Sequence, residues 1–165
     1  MSPEIRSLTE ADDSAVLALN NVEVPRVTML DEAAMARYRD VLNDALAIGP
    51  EGAPEAFCWT VGPGTDYWSA NYAWVEAHYE RFVYLDRVVV APRARGLGLA
   101  RALYDEVSVR AAGTADHFVL EVNTVPRNDE SLAFHAALGF TEVGRARPYG
   151  DDTEVGSLSR PVPGP

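Results

Sequence analysis

An apolar run over residues 84–90, Tyr-Leu-Asp-Arg-Val-Val-Val, predicts a buried strand. Alternation along it sends Val88 and Val90 to one face and Arg87 and Val89 to the other. The strand stops at Ala91-Pro92, and the following Arg93-Ala94-Arg95-Gly96-Leu97-Gly98-Leu99-Ala100-Arg101 opens a helix that runs to about residue 112. Upstream, residues 4–8 read as a first strand. Thr9 caps a helix reaching about Asn20, with Asp12 at the third place of a capping box. A loop over residues 21–30 leads to Asp31, the cap of a second helix with an apolar stripe of Ala34, Tyr38, Val41, Leu42 and Ala45. A short strand near residues 45–49 and another over 56–61 follow, the latter broken by Gly62-Pro63-Gly64. Residues 67–82 read as a loop with at most one helical turn. Residues 117–123 alternate as the next strand. Asn128 then caps a short helix that Gly139 ends as its C′ residue. Residues 140–147 and 154–158 make a final antiparallel pair. These elements predict a single domain over residues 1–160 with a disordered tail over 161–165.

The strand, the Arg/Gly turn and the helix start together form a device for holding a pyrophosphate. Glycines let a backbone approach a ligand closely, and the helix N-terminus presents free N–H groups and a partial positive charge. A Walker A loop is excluded, because it needs a lysine and all fourteen basic residues here are arginine. A dinucleotide fingerprint is disfavoured, because Arg101 stands where its third small residue belongs. The pattern Arg-x-x-Gly-x-Gly, formed by Arg93, Gly96 and Gly98, closely resembles the coenzyme A loop of the GCN5-related N-acetyltransferases (GNAT). A second segment strengthens the resemblance. A strand is followed by Asn128 opening a helix with Ser131 inside its first turn, then Phe134-His135, then Gly139-Phe140, as in that family's second signature.

The resemblance implies a mixed, mostly antiparallel α/β (α+β) sheet of six to seven strands, flanked by about four helices, whose central parallel strands splay apart. It also implies acetyl-CoA-dependent transfer of an acetyl group directly to a primary amine of a small acceptor. On that basis Val88, Val89, Val90 and residues Arg93 to Ala100 hold acetyl-CoA, with Ala94, Arg95, Leu97 and Leu99 inside the loop, and Asn128, Ser131, Phe134 and His135 join them. The Val88 N–H is the implied donor to the thioester oxygen. The family usually has Tyr where this chain has His135, so His135 is the candidate acid for the leaving thiolate. Because a thiol pKa is near ~8.5, that thiolate also leaves tolerably well unaided. The amine proton needs an acceptor. Glu121, on the strand beside the implied thioester, is the first candidate; Asp86, Glu76 and His78 are alternatives. The loop rich in aromatic and amide groups supplies Asn71, Tyr72 and Trp74 as acceptor-binding candidates, the resemblance adds Asn20, Asn21 and Tyr38, and Asp86 is a further candidate.

Composition narrows the alternatives. A net charge of −11 argues against a nucleic-acid footprint and is compatible with attracting cationic amines. No apolar run approaches membrane-spanning length, and the first residues lack a basic-then-apolar leader, so the expectation is a cytoplasmic protein. The single cysteine, Cys58, lies in a strand pattern and reads as a buried structural thiol. Three scattered histidines show no metal-ligand spacing, and no Gly-x-Ser-x-Gly elbow is present. A non-catalytic acyl-CoA-binding module, a peptide or protein N-terminal acetyltransferase and a longer-chain acyltransferase stay open, as does a homodimer.

Overall fold

The computed structural model describes residues 2–165. Seven strands form one mixed sheet: β1 (Ile5–Ser7), β2 (Asp44–Ile48), β3 (Ala56–Val61), β4 (Phe82–Val90), β5 (His117–Val125), β6 (Thr141–Ala146) and β7 (Glu154–Pro161). Their order is β1-β2-β3-β4-β5-β7-β6. Five α-helices accompany them: α1 (Asp13–Val22), α2 (Glu32–Arg39), α3 (Ala70–His78), α4 (Leu99–Ala111) and α5 (Asp129–Ala137). The mixed, mostly antiparallel fold expected from the sequence is present, with one helix more than the expected four. No helix among the described residues is long and apolar enough to cross a membrane.

The chain is compact in two units. One comprises the chain up to Val61 together with Leu85–Arg110. In it β2 pairs antiparallel with both β1 and β3. Phe57, Trp59, Leu46, Val61, Leu103 and Val107 are fully buried in it, with Val16 of α1. The strand residues among them follow from the apolar runs of β2 and β3, every residue of β3 being buried. Cys58 is inside that strand, where burial pushes its thiol well above the usual range, as a structural cysteine requires. The helix expected after Thr9 starts as a 3₁₀ turn, Glu10–Asp12, before α1. The Thr9 N–H donates to Asp12 at 2.9 Å, the acidic half of the expected capping box. Asp31 caps α2 by accepting the Ala34 N–H at 2.7 Å. The predicted stripe overran this helix, because Val41 and Leu42 lie in the turn after it and Ala45 is already in β2.

The other unit comprises Gly62–Tyr84 with Ala111–Pro165. Here β4 pairs parallel with β5, Phe82 to His117 through Tyr84 to Val119. Antiparallel to β5 lies β7, which is flanked in turn by β6. The sequence reading of residues 67–82 as a loop is corrected by α3. Ser69 caps it, accepting the Tyr72 N–H at 3.3 Å, and Tyr72 and Val75 face inward one turn apart. Aromatic residues on other faces of this helix hid that period. Trp74 stacks on His78 with ring centroids 3.9 Å apart. It also abuts β6, where a Cβ on Gly144 would lie 2.5 Å from the indole, so that strand position excludes a side chain. The final strand extends through Pro161. Val162, expected in the tail, is buried and donates its N–H to the Asp116 carbonyl at 2.9 Å.

Near the N-terminus one carboxylate carries much of the polar load. Asp12 is fully buried and accepts from Arg6 through both oxygens, at 2.7 and 2.9 Å, and from the Gly52 N–H at 2.8 Å. These donors, Arg6 foremost, outweigh burial and hold its pKa down at about 2, against an ordinary 3.8. A depressed carboxyl pKa stabilises the fold above the ordinary value, and that contribution fades as pH falls through about 2. Asp12→Asn is therefore expected to lose about 2 kcal/mol at pH 7, with the gap to the parent narrowing steadily below pH ~4. Urea unfolding at a series of pH values checks this; a gap independent of pH would contradict it.

Candidate functional site

The first unit holds the proposed phosphate loop. β4 ends at Val90. The Ala91 N–H is tied to the Glu55 carbonyl at 2.7 Å, and a 3₁₀ turn, Pro92–Ala94, follows. Ala94 and Leu99 are buried and pin the two ends. Between them Arg95, Gly96, Leu97 and Gly98 are exposed. Gly96 and Gly98 have φ of +79° and +76°, a region that favours glycine, and open space lies where a Cβ would project from either. The thirteen-residue helix α4 starts directly afterwards, with the uncommitted N–H groups and positive dipole end of a helix N-terminus. Exposed backbone, left-handed glycines and a helix start fit a pyrophosphate. Arg93 lies 3.8 Å from Glu55, and Arg95 is ion-paired with Glu23. The valines of β4 alternate as expected, Val89 buried beside half-buried Val88 and Val90.

The same strand carries a feature that sequence reasoning left aside, the buried Arg87. Its Nε–H donates to Asp86 at 3.1 Å. One terminal nitrogen donates to Asn20 Oδ1 at 2.7 Å and the Thr28 carbonyl at 3.3 Å; the other donates to Thr28 Oγ1 at 3.0 Å and the Tyr38 hydroxyl at 2.9 Å. Five N–H groups thus meet five acceptors. The guanidinium also lies 5.0 Å from the Tyr38 ring centre and 5.1 Å from that of Trp59. Trp59 Nε1 donates to Asp86 at 2.8 Å, so the carboxylate has two donors. Asn20 also donates to the Thr28 carbonyl at 2.9 Å, and Asn21 both donates to and accepts from the backbone of Leu30 at 2.9 Å. Three acceptor-binding candidates, Asn21, Tyr38 and Asp86, are therefore engaged in fixing the segment between α1 and α2. The clue in the sequence was an arginine inside an otherwise apolar strand, which requires partners if buried.

The second unit holds the remaining candidates. Glu121, half-buried on β5, accepts the Tyr84 hydroxyl of β4 at 2.8 Å. Tyr72 is fully buried and bonds to Gly62, Thr65 and Glu76 through its hydroxyl, making it a support of the 62–65 turn. Glu76 also accepts the Gly64 N–H at 2.7 Å, and His78 uses Nδ1 on the Trp74 carbonyl at 2.7 Å. Two of the three alternatives for the base, Glu76 and His78, are thus engaged locally. Asn71 is half-buried in the first turn of α3.

Asn128 caps α5 as expected, accepting the Ser131 N–H at 3.1 Å. Gly139 has φ of +85° after the C-cap Leu138, again as expected. His135 is buried between Phe134 and Phe140, with ring centroids at 5.1 and 5.5 Å. Its Nδ1 lies 2.7 Å from the Ser131 carbonyl, which can only accept, so that nitrogen carries the hydrogen. Burial, aided by the Arg160 charge, lowers its pKa. A neutral imidazole whose N–H is committed to a carbonyl is poorly suited to donate a proton. The geometry therefore favours packing and positioning over the acid role.

The buried arginine offers a sharp check on the first unit. Arg87→Lys keeps the charge and loses the planar fork, leaving acceptors around Thr28 and Tyr38 unmatched. We expect about 3 kcal/mol of destabilisation in urea unfolding. A loss under about 0.5 kcal/mol would mean that the fork geometry contributes little.

Comparison with known proteins gives the following. The sequence model described as "Acetyltransferase (GNAT) family" matches residues 51–140, just over half of the chain. A search among curated proteins returns no significant match. Several solved structures share the fold. Ribosomal-protein-alanine N-acetyltransferase from Brucella melitensis is 24% identical, with a TM-score of 0.67 over 96% of this chain and 99% of its own. A GNAT superfamily phosphinothricin acetyltransferase from Sinorhizobium meliloti, solved with AcCoA, is 20% identical with a TM-score of 0.70, over 98% and 89% of the two chains. Ard1 from Thermoplasma volcanium is 17% identical with a TM-score of 0.74, over 98% and 99%.

Proposed function

This chain belongs to the acetyltransferase (GNAT) family, and from that premise we propose that it transfers an acetyl group from acetyl-CoA directly to the primary amine of a small acceptor. The observation that carries this reading is the loop from Arg95 to Gly98, with left-handed glycines and exposed backbone opening onto α4. Acetyl-CoA, when bound, supplies the acetyl thioester. Residues Arg93 to Ala100 hold its phosphates by backbone N–H groups, helix dipole and arginine charge. The peptide groups of Val88, Val89 and Val90 extend along the next part of the ligand, and the Val88 N–H donates to the oxygen where negative charge develops. Asn128, Ser131 and Phe134 contribute from α5.

Glu121 is our choice for the base. An alkyl amine with pKa near ~10 is mostly protonated at neutral pH, so its proton must be removed before it can attack. The hydrogen bond from Tyr84 supports this choice, because it fixes the carboxylate's orientation while leaving it able to take up a proton. The thiolate departs without a side-chain acid, consistent with neutral His135 and with thiol acidity. On the acceptor side, Asn71 and Trp74 of α3 present the groups, Tyr72 holds the 62–65 turn ahead of that helix, and Asn21, Tyr38 and Asp86 act by fixing the segment after α1.

Three measurements test the reading. Gly98→Asp forces a side chain into a left-handed position and adds a carboxylate beside the phosphates. Calorimetry on the folded variant should show CoA affinity reduced at least about tenfold; unchanged affinity would remove the cofactor assignment. In a panel of small amines and peptides, CoA release with small amines alone identifies the acceptor class, and release only with peptides would overturn the small-acceptor reading. With the best amine, Glu121→Gln should slow turnover about tenfold or more near neutral pH, partly recovering as pH rises and more free amine is present. Matched, parallel profiles for the two proteins would place the base elsewhere.

A further inference from the structure

Glu23 stands at the unfavourable end of its helix. It is the C-cap of α1, where the terminal carbonyls make the local potential negative and disfavour a carboxylate. Its side chain is largely shielded from solvent, and two arginines compensate it: Arg26 at 3.6 Å and Arg95 in direct contact. Arg95 immediately precedes Gly96, so a cation inside the phosphate loop is already neutralised by a carboxylate from another element. Three residues before Glu23, Asn20 grips the Thr28 carbonyl and Arg87, and next to it Asn21 grips Leu30. The segment between α1 and α2 therefore has a deep, buried anchor at Arg87 and a shallow one at Arg95.

We infer that Glu23 is a latch on the phosphate loop: it competes with the pyrophosphate of the cofactor for Arg95, and its release loosens the segment between α1 and α2. The inference rests on the cofactor reading above. A carboxylate and a pyrophosphate cannot both approach one guanidinium without repelling each other. The multiply charged anion, which also gains the loop's backbone donors, is the stronger competitor. The pair is open to solvent on the Arg95 side, where water and salt weaken it enough to exchange, as a latch must be. Once released, Glu23 faces the negative end of α1 with only Arg26 beside it, and the penalty of its position returns to the helix end. Cofactor occupancy is thereby communicated to the segment that Arg87 anchors from beneath, without any movement of the buried network.

The test uses the full chain and three variants, Glu23→Gln, Arg95→Gln and the double substitution, each checked for folding by circular dichroism. CoA and inorganic pyrophosphate serve as separate probes in calorimetry. Glu23→Gln should bind CoA about three- to tenfold more tightly at low ionic strength, with the gain shrinking as salt rises. Most of the gain should vanish in the Arg95→Gln background, and pyrophosphate should show the same order of affinities. In parallel, limited trypsin digestion followed by mass spectrometry reads cleavage after the exposed Arg26. CoA should accelerate that cut in the parent, whereas Glu23→Gln should be cut quickly with or without CoA. Unchanged or weaker CoA binding by folded Glu23→Gln overturns the latch, as does an Arg26 cut that CoA leaves unaltered. If the parent itself does not bind CoA, the cofactor reading falls and the latch with it; binding by the parent without a gain in the variant rejects the latch alone.

Discussion

A guanidinium keeps its charge at any pH a protein meets, and once out of water all five of its N–H groups need acceptors. Arg87 imposes that requirement on the first unit. Its neighbours Asp86, Asn20, Thr28 and Tyr38 are drawn from a strand, two helices and the segment between the helices, and each reaches the same point. An apolar side chain at that position could be packed in several ways. A planar fork can be satisfied in few, so the path of the chain from α1 to α2 is specified by hydrogen-bond geometry as well as by burial. The adjacent Asp86 balances the charge and is itself held by Trp59, which ties the arrangement into the aromatic core.

This specification reaches the chemistry through β4. The strand that carries Arg87 also carries Val88 to Val90 and leads directly into the proposed phosphate loop. Alternation places the polar anchor, Arg87, on the buried face with Val89, while Val88 and Val90 on the other face are only half-buried. A strand fixed this firmly holds the start of the glycine-rich loop in one place, which favours preorganisation of the proposed site.

Much of this was readable in the sequence where a residue's chemistry acts locally. Asp31 and Asn128 announced helix starts because a short polar side chain caps its own N–H groups. Gly96, Gly98 and Gly139 announced turns because φ is positive at each. The phosphate loop is legible for the same reason, being contiguous. What failed was long-range or periodic. The α3 helix was obscured because Tyr72 and Trp74 put aromatic rings on different faces and Tyr67 and Trp68 just before it blur its start, so no clear stripe emerged. The extension of β7 to Pro161 depends on pairing with β5, where Pro161 sits opposite His117, which no local signal encodes. The engagement of Asn21, Tyr38 and Asp86 could not be read locally, because the network they belong to centres on Arg87, which is 49 residues or more along the chain from Asn20, Thr28 and Tyr38. His135 was recognised by its place in a motif, but its protonation depends on burial and on a carbonyl one helical turn back.

The lone thiol has a practical corollary. Cys58 is sealed within β3 and is held in its protonated, unreactive form. A disulfide reagent added to the folded protein therefore meets no competing sulfhydryl from the polypeptide, and any colour that develops during turnover counts released coenzyme directly. The same reagent doubles as a sentinel of integrity, since one equivalent of reactive sulfur per chain is uncovered only when the sheet comes apart.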